Sequence, residues 1–128
     1  MIRKIAAIVL LTLTLVNVQA SDINAKLACK GTSWLDGKQL DNKQGFISIS
    51  NGSVQIDGML NANGTYKVDL AGIREDYLGF KSQVNPRLHG SINRVTGEAI
   101  VIENDKIEPT KGGQALFHGT CTRAKQIF

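Results

Sequence analysis

Phe46-Ile47-Ser48-Ile49-Ser50-Asn51-Gly52-Ser53-Val54-Gln55-Ile56-Asp57 decides the fold class of this chain. Two runs alternate apolar and polar residues, which is the period of a half-buried strand. Between them stands Asn-Gly, the pair that accepts the positive φ angles of a type I′ turn. The stretch therefore reads as a β-hairpin, with Ile47 and Ile49 facing Val54 and Ile56 across its buried side.

The same period continues on both sides. A second hairpin is expected from Gly58–Asn61, an Asn63-Gly64 turn, and Thr65–Ala71 with Tyr66, Val68 and Leu70 inward. Asn51-Gly52-Ser53 and Asn63-Gly64-Thr65 are also formal glycosylation sequons, but turn chemistry accounts for both without sugar. Asp76–Ser82 alternates Leu78 and Phe80 against Tyr77, Gly79 and Lys81, and Asn85-Pro86 ends it, because proline cannot donate to a ladder. Leu88–Arg94 and Gly97–Glu103 form a hairpin around Val95-Thr96-Gly97, with glycine at the left-handed position. Ala99–Ile102 is apolar on both faces, as in a strand covered on each side. A polar loop follows over Lys106–Gly113, and a closing strand over Ala115–Ala124 places Phe117 and Cys121 on one face.

Upstream, Ala25, Leu27 and Cys29 share the inner face of a first strand. Asp36-Gly37 is a turn signal, whereas Thr32–Gln44 is weakly patterned and reads as a loop. Helical periodicity is confined to the N-terminus. The fold class is all-β: a single antiparallel sandwich or small barrel of about seven or eight short strands.

The N-terminus is a targeting segment. Met1-Ile2-Arg3-Lys4 is a basic n-region, Ile5–Val16 an apolar core, and Val18-Gln19-Ala20 a small-residue cleavage site before Ser21. The apolar run is shorter than the roughly 20 residues a membrane span requires. Residues 1–20 are thus read as a signal peptide and residues 21–128 as one β-domain, periplasmic or secreted. Leu27-Ala28-Cys29 resembles the end of a lipobox, but Lys26 occupies an aliphatic position of that motif, and lipidation would leave Cys121 unpaired.

The 128-residue chain has a formal net charge of +4, and loss of Arg3 and Lys4 lowers it to +2. That balance, without a basic run, gives no reason to expect a nucleic-acid partner. Phe128 invites comparison with transmembrane β-barrels, but alternate positions back from it are Gln126, Ala124, Thr122 and Thr120. The strands also read as shorter than the 9–11 residues needed to cross a bilayer.

Cys29 and Cys121 are the only cysteines, at neither redox nor zinc spacing. In an oxidising compartment they are expected to form a disulfide joining the first and last strands. His89 and His118 are the only histidines, each on the polar face of its strand beside a glycine. They would build a metal or acid–base site only if their strands were neighbours with a carboxylate nearby. Trp34, the sole tryptophan, is expected to lid one end of the core; as a ligand platform it is the one binding candidate. No Gly-x-Ser-x-Gly or phosphate-cradling motif is present, and Asp57, Asp69, Glu75 and Asp76 occupy positions usual for solvated carboxylates. No catalytic residue or cofactor is expected.

Asn93-Arg94-Val95-Thr96-Gly97 and the ending Cys121-Thr122-Arg123-Ala124-Lys125-Gln126-Ile127-Phe128 resemble small secreted proteobacterial proteins of unknown function. These pair an early with a late cysteine, carry an (Asn/Asp)-Arg-x-Thr-Gly hairpin, and end in a short basic tail with phenylalanine. The resemblance implies a periplasmic β-domain and no activity. Periplasmic lysozyme inhibitors are also small disulfide-bonded barrels, but a Ser-Gly-x-x-Tyr-like loop is missing and the positive charge suits a basic lysozyme badly. The expected role is a non-enzymatic binding or envelope-associated module whose partner is an envelope protein or a small ligand; the alternatives are a calyx-type carrier of a small ligand or an inhibitor-like protein.

Overall fold

The computed structural model describes residues 23–73, 76–105 and 113–124. The signal segment, Glu75, most of the Lys106–Gly113 loop and the basic tail lie outside them. Eight strands run in chain order: β1 (Ala25–Leu35), β2 (Lys38–Ser50), β3 (Ser53–Asp57), β4 (Gly64–Ile73), β5 (Tyr77–Ser82), β6 (Leu88–Asn93), β7 (Glu98–Glu103) and β8 (Gln114–Arg123). Each is antiparallel to the next, and β8 returns to pair with β1, so the sheet closes into an up-and-down barrel. Of the two architectures expected, the barrel is the one formed. Closure leaves the sheet without an edge.

The β2–β3 hairpin has the expected register, Ile47 opposite Ile56 and Ile49 opposite Val54. Its turn holds Asn51 at φ 52° and Gly52 at φ 77°. Asp36 and Gly37 repeat that conformation, at φ 51° and 78°, between β1 and β2. The residues read as a loop, Thr32–Gln44, are therefore mostly strand, and β1 and β2 reach 11 and 13 residues. The cause of the misreading is a bulge. Cys29 pairs with Gly45 and Gly31 with Asn42, so Lys43 and Gln44 together oppose the single residue Lys30. The inward phase of β2 consequently switches from Asn42 to Gly45, Ile47 and Ile49, and simple alternation is lost. Asn42 is buried and accepts a 2.8 Å hydrogen bond from the Ser33 hydroxyl, which satisfies this polar pair inside the wall.

Gly58–Asn61 is not a strand. Leu60–Ala62 forms a single 3₁₀ turn that folds across one end of the barrel, with Met59 and Ala62 fully buried. Asn63 sits at φ −59°, ψ 142°, so Asn63-Gly64 is not a hairpin turn. Tertiary burial explains the difference: Gly45 has no side chain, and a Cβ there would lie 2.7 Å from Met59 Cγ. Met59 fills that space. Asn63 Oδ1 accepts from the Met59 amide, and the Tyr66 hydroxyl donates to the Ala62 carbonyl at 2.7 Å. The turn is a plug.

Above the plug the interior is packed solid. Tyr66 and Phe80 meet edge to face, with ring centroids 5.2 Å apart. Phe80 lies opposite Gly90, whose missing side chain makes room for the ring. A further bulge, at Leu116 between the Val101–Phe117 and Ile102–Ala115 pairs, turns two successive residues, Leu116 and Phe117, into buried positions. Such bulges supply the curvature that barrel closure needs.

Four strands reach 10 residues or more, longer than expected from sequence. Apart from Ser33 and Asn42, the buried inward positions are nevertheless apolar, and outward ones carry Lys26, Lys30, Gln55, Lys67, Lys81 and Thr120, the inverse of an outer-membrane barrel. Among the described residues no helix is long and apolar enough to cross a membrane.

Candidate functional site

The barrel end opposite the plug is open. A cleft of about 710 Å³ occupies it, bounded by Ile23–Leu27 leading into β1, the β6–β7 turn and the end of β8. Its volume falls within the range of small-molecule sites, about 300–1,000 Å³. The floor is the top of the packed core: Ile49, Leu78, Ile92 and Cys121. Ile23 and Leu27, half-buried against that core, form one wall.

The opposing wall is the Asn93–Gly97 turn, and all five of its residues line the cleft. Asn93 holds the turn by accepting, through Oδ1, from the amides of Val95 (2.9 Å) and Thr96 (3.0 Å). Gly97 adopts φ 80° and its carbonyl accepts from the Cys121 amide at 2.8 Å. A Cβ at Gly97 would collide with the Cys121 carbonyl, so only glycine lets the turn lie this close to β8. The Arg94 amide donates to the Asp76 carbonyl at 2.6 Å. The turn is thus fastened to the residue that leads into β5 and to β8, and it lines the rim together with Cys121, Thr122 and Arg123.

Cys29 and Cys121 are disulfide-bonded and buried, as expected, and Cys121 forms part of the cleft floor. The bond therefore sits where the barrel closes and beneath the cleft.

The histidines do not come together. β7 separates their strands: His89 pairs with Ile102 on one side of it and His118 with Ile100 on the other. His89 Nε2 lies 2.8 Å from Asn104 Oδ1, and the exposed His118 Nε2 lies 3.5 Å from Glu98 Oε1. Among the described residues, no three histidine, cysteine or acidic side chains gather closely enough to hold a metal. The intervening β7 keeps them apart. Ile100 and Ile102, between them, are half-buried on the outer face, while Ala99 and Val101 fill the interior.

Trp34 does not line this cleft. It lies near the tip of the β1–β2 hairpin, next to inward-facing Ser33, while the 3₁₀ turn takes the plugging role. Seven residues along β1 separate it from Leu27, about 23 Å of strand, so it stands at the far end from the cleft. Of the carboxylates, Asp57 and Asp76 are exposed and Asp69 pairs with Lys81 at 3.4 Å. A smaller depression, about 370 Å³, lies over the β1–β2 bulge among Lys30, Asp41, Lys43 and Thr120.

The cleft lining was not legible from spacing alone. Its two walls come from segments about 70 residues apart, and of the lining only Asn93–Gly97 and Cys121–Arg123 belong to motifs that stand out in the sequence.

No family model, curated protein or solved structure matches the chain.

Proposed function

We propose that the protein is a non-enzymatic binding module of the bacterial envelope, periplasmic or secreted, whose open barrel end takes a small lipophilic ligand. The observation that carries this reading is the cleft: an apolar floor and wall beneath a polar rim, built on a rigid, plugged barrel. An eight-stranded barrel has room either for packed side chains or for one small ligand. Here Tyr66, Phe80 and Phe117 fill the middle, so the ligand sits in a shallow bowl at the mouth and does not thread the barrel. Among the described residues the lining contains no histidine, aspartate or glutamate, which favours binding over acid–base chemistry. A calyx-type role thereby takes precedence over capture of an envelope protein. The disulfide is compatible with an oxidising compartment. The resemblance to small secreted proteobacterial proteins agrees with that placement.

Amide chemical-shift mapping tests the proposal, with N-phenyl-1-naphthylamine as a neutral apolar probe. Shifts should concentrate at Ile23–Leu27, Asn93–Gly97 and Cys121–Arg123. Leu27→Glu should remove them, while Leu40→Glu, on an exposed residue at the other end, should leave them intact. Shifts confined to the outer face, or none at all, would overturn it.

A further inference from the structure

We propose that the overhanging flank of β2 pairs with the same flank of a second copy of this chain, in an antiparallel ladder centred on Leu40. The barrel has no edge strand, but β2 outruns one of its neighbours. β3 reaches back along it only to Phe46, which stands opposite Asp57. Residues 38–44 have β1 on one side, with Lys38 opposite Leu35 and Asn42 opposite Gly31. Among the described residues no strand lies on the other side. The 3₁₀ turn after β3 crosses toward β1 and β8 instead of following this flank. Every residue from 38 to 44 except Asn42 is exposed.

The turn sets the direction of the outward backbone groups. Asp36-Gly37 is a two-residue turn, so Leu35 and Lys38, which close it, exchange hydrogen bonds. Bonding alternates along an antiparallel pair, so Ser33 bonds Leu40 and Gly31 bonds Asn42. Gln39 and Asp41 therefore turn amide and carbonyl away from β1. The disulfide fixes the same phase independently. The Cys121 amide bonds Gly97, so Cys29 directs its own groups to β2, and Gly31, Ser33 and Leu35 follow in step. An exposed row of such groups is a template for one more strand.

The same flank of a second copy is in phase with it. Centred on Leu40, Gln39 faces the partner's Asp41 and Asp41 faces the partner's Gln39, each pair exchanging both main-chain bonds. Their side chains, an amide and a carboxylate, are complementary across the ladder. On the opposite face the exposed Leu40 covers the partner's Leu40. Neighbouring registers fail. Centring on Asp41 sets two carboxylates against each other. Centring on Asn42 pairs Asp41 with the partner's Lys43, but drives Lys38 against the partner's Phe46, where β3 already sits. Centring on Gln39 leaves a single bonded pair, because the next position falls on Gly37 in the turn. A ladder this short buries less than the roughly 1,200 Å² of a stable interface, so the dimer is weak and concentration-dependent. It lies at the end away from the cleft and stands or falls apart from the ligand reading.

Single cysteines in the full mature domain, with the native disulfide intact, test the register. Under mild oxidation Leu40→Cys should crosslink into a dimer at least tenfold faster than Gln39→Cys or Asp41→Cys alone. Leu40 meets itself in a non-hydrogen-bonded pair, the setting that Cys29 and Cys121 share. A mixture of Gln39→Cys and Asp41→Cys should crosslink faster than either by itself. In sedimentation equilibrium the mass of the unaltered domain should rise from monomer toward dimer with concentration. Asp41→Pro, which removes an outward amide, should abolish that rise while the unfolding midpoint shows the domain still folded. Equal crosslinking at the three positions would overturn the proposal, as would a rise in mass that survives Asp41→Pro in a folded domain. A domain that stays monomeric would also overturn it, and would leave this flank to an extended segment of another protein.

Discussion

Cys29 on β1 and Cys121 on β8 stand directly opposite each other, with Cα atoms 4.0 Å apart and their sulfurs bonded. The Cys121 amide points away from β1, to Gly97, so the two cysteines occupy a non-hydrogen-bonded pair, the site of closest approach in an antiparallel ladder. They are 92 positions apart in the chain, and this pair is part of the only seam that joins its beginning to its end. The seam continues at Gly31 and Gly119, also directly opposed, where a Cβ on either would collide with the backbone of the other strand.

Removing the disulfide should destabilise the domain by about 2–5 kcal/mol, as expected for a native bond enclosing a long loop in a small domain. Cys29→Ala, Cys121→Ala and reduced wild type should show similar denaturant midpoints, and reductant should add nothing to either variant. Retention of the wild-type midpoint in both variants would show that strand pairing alone closes the barrel.

Gly90 should not tolerate a methyl group. A Cβ there would lie 2.5 Å from the Ile100 carbonyl oxygen and 2.5–2.6 Å from the Phe80 ring, and neither neighbour has room to move. Gly90→Ala is expected to cost about 1–3 kcal/mol through overpacking. Gly90→Ala combined with Phe80→Leu should lose less than the two single changes added together, as a double-mutant cycle in urea would reveal.

Tyr66 gives the barrel an alkaline limit. Burial pushes its hydroxyl pKa up from 10.0 to about 12. The unfolded chain then releases this proton at lower pH than the folded one. Its contribution is therefore complete below pH 10 and is lost as pH rises from there toward 12. The loss amounts to roughly 2–3 kcal/mol across that window. Tyr66→Phe should flatten this part of the stability profile. At neutral pH it should still cost about 1–3 kcal/mol, because the Ala62 carbonyl loses its donor. An unchanged alkaline slope in Tyr66→Phe would assign the limit to other groups.

Trp34 should be blind to events at the cleft, being about 23 Å along β1 from Leu27. Its emission should stay constant while a cleft ligand titrates to saturation by chemical shift. A parallel change in emission would mean either a second site at the hairpin tip or movement of the whole β1–β2 arm.

By itself the sequence determined whatever depends on neighbours along the chain. Alternation over Phe46–Asp57 and a turn at Asn51-Gly52 specify the β2–β3 hairpin and its inward isoleucines, because turn geometry and the period of two are local properties. The same logic placed Leu78, Phe80, Phe117 and both cysteines on inner faces, and the Val95-Thr96-Gly97 turn between β6 and β7. Tertiary structure alone decided the rest. The bulge at Lys43-Gln44 exists because β2 must bend around a closing barrel, and its phase switch hid strand pairing over Thr32–Gln44. Met59 draws Leu60–Ala62 into a plug because Gly45, from another strand, leaves a hole for it. β7 lies between His89 and His118 because β6, β7 and β8 pair in chain order. The register of β7 on β8 sets the Asn93–Gly97 turn beside Cys121–Arg123, and Ile23–Leu27 joins them because β8 closes onto β1. Which residues share a site is a matter of strand order and register, and those are settled by burial of the whole core at once, not by any segment's own preference.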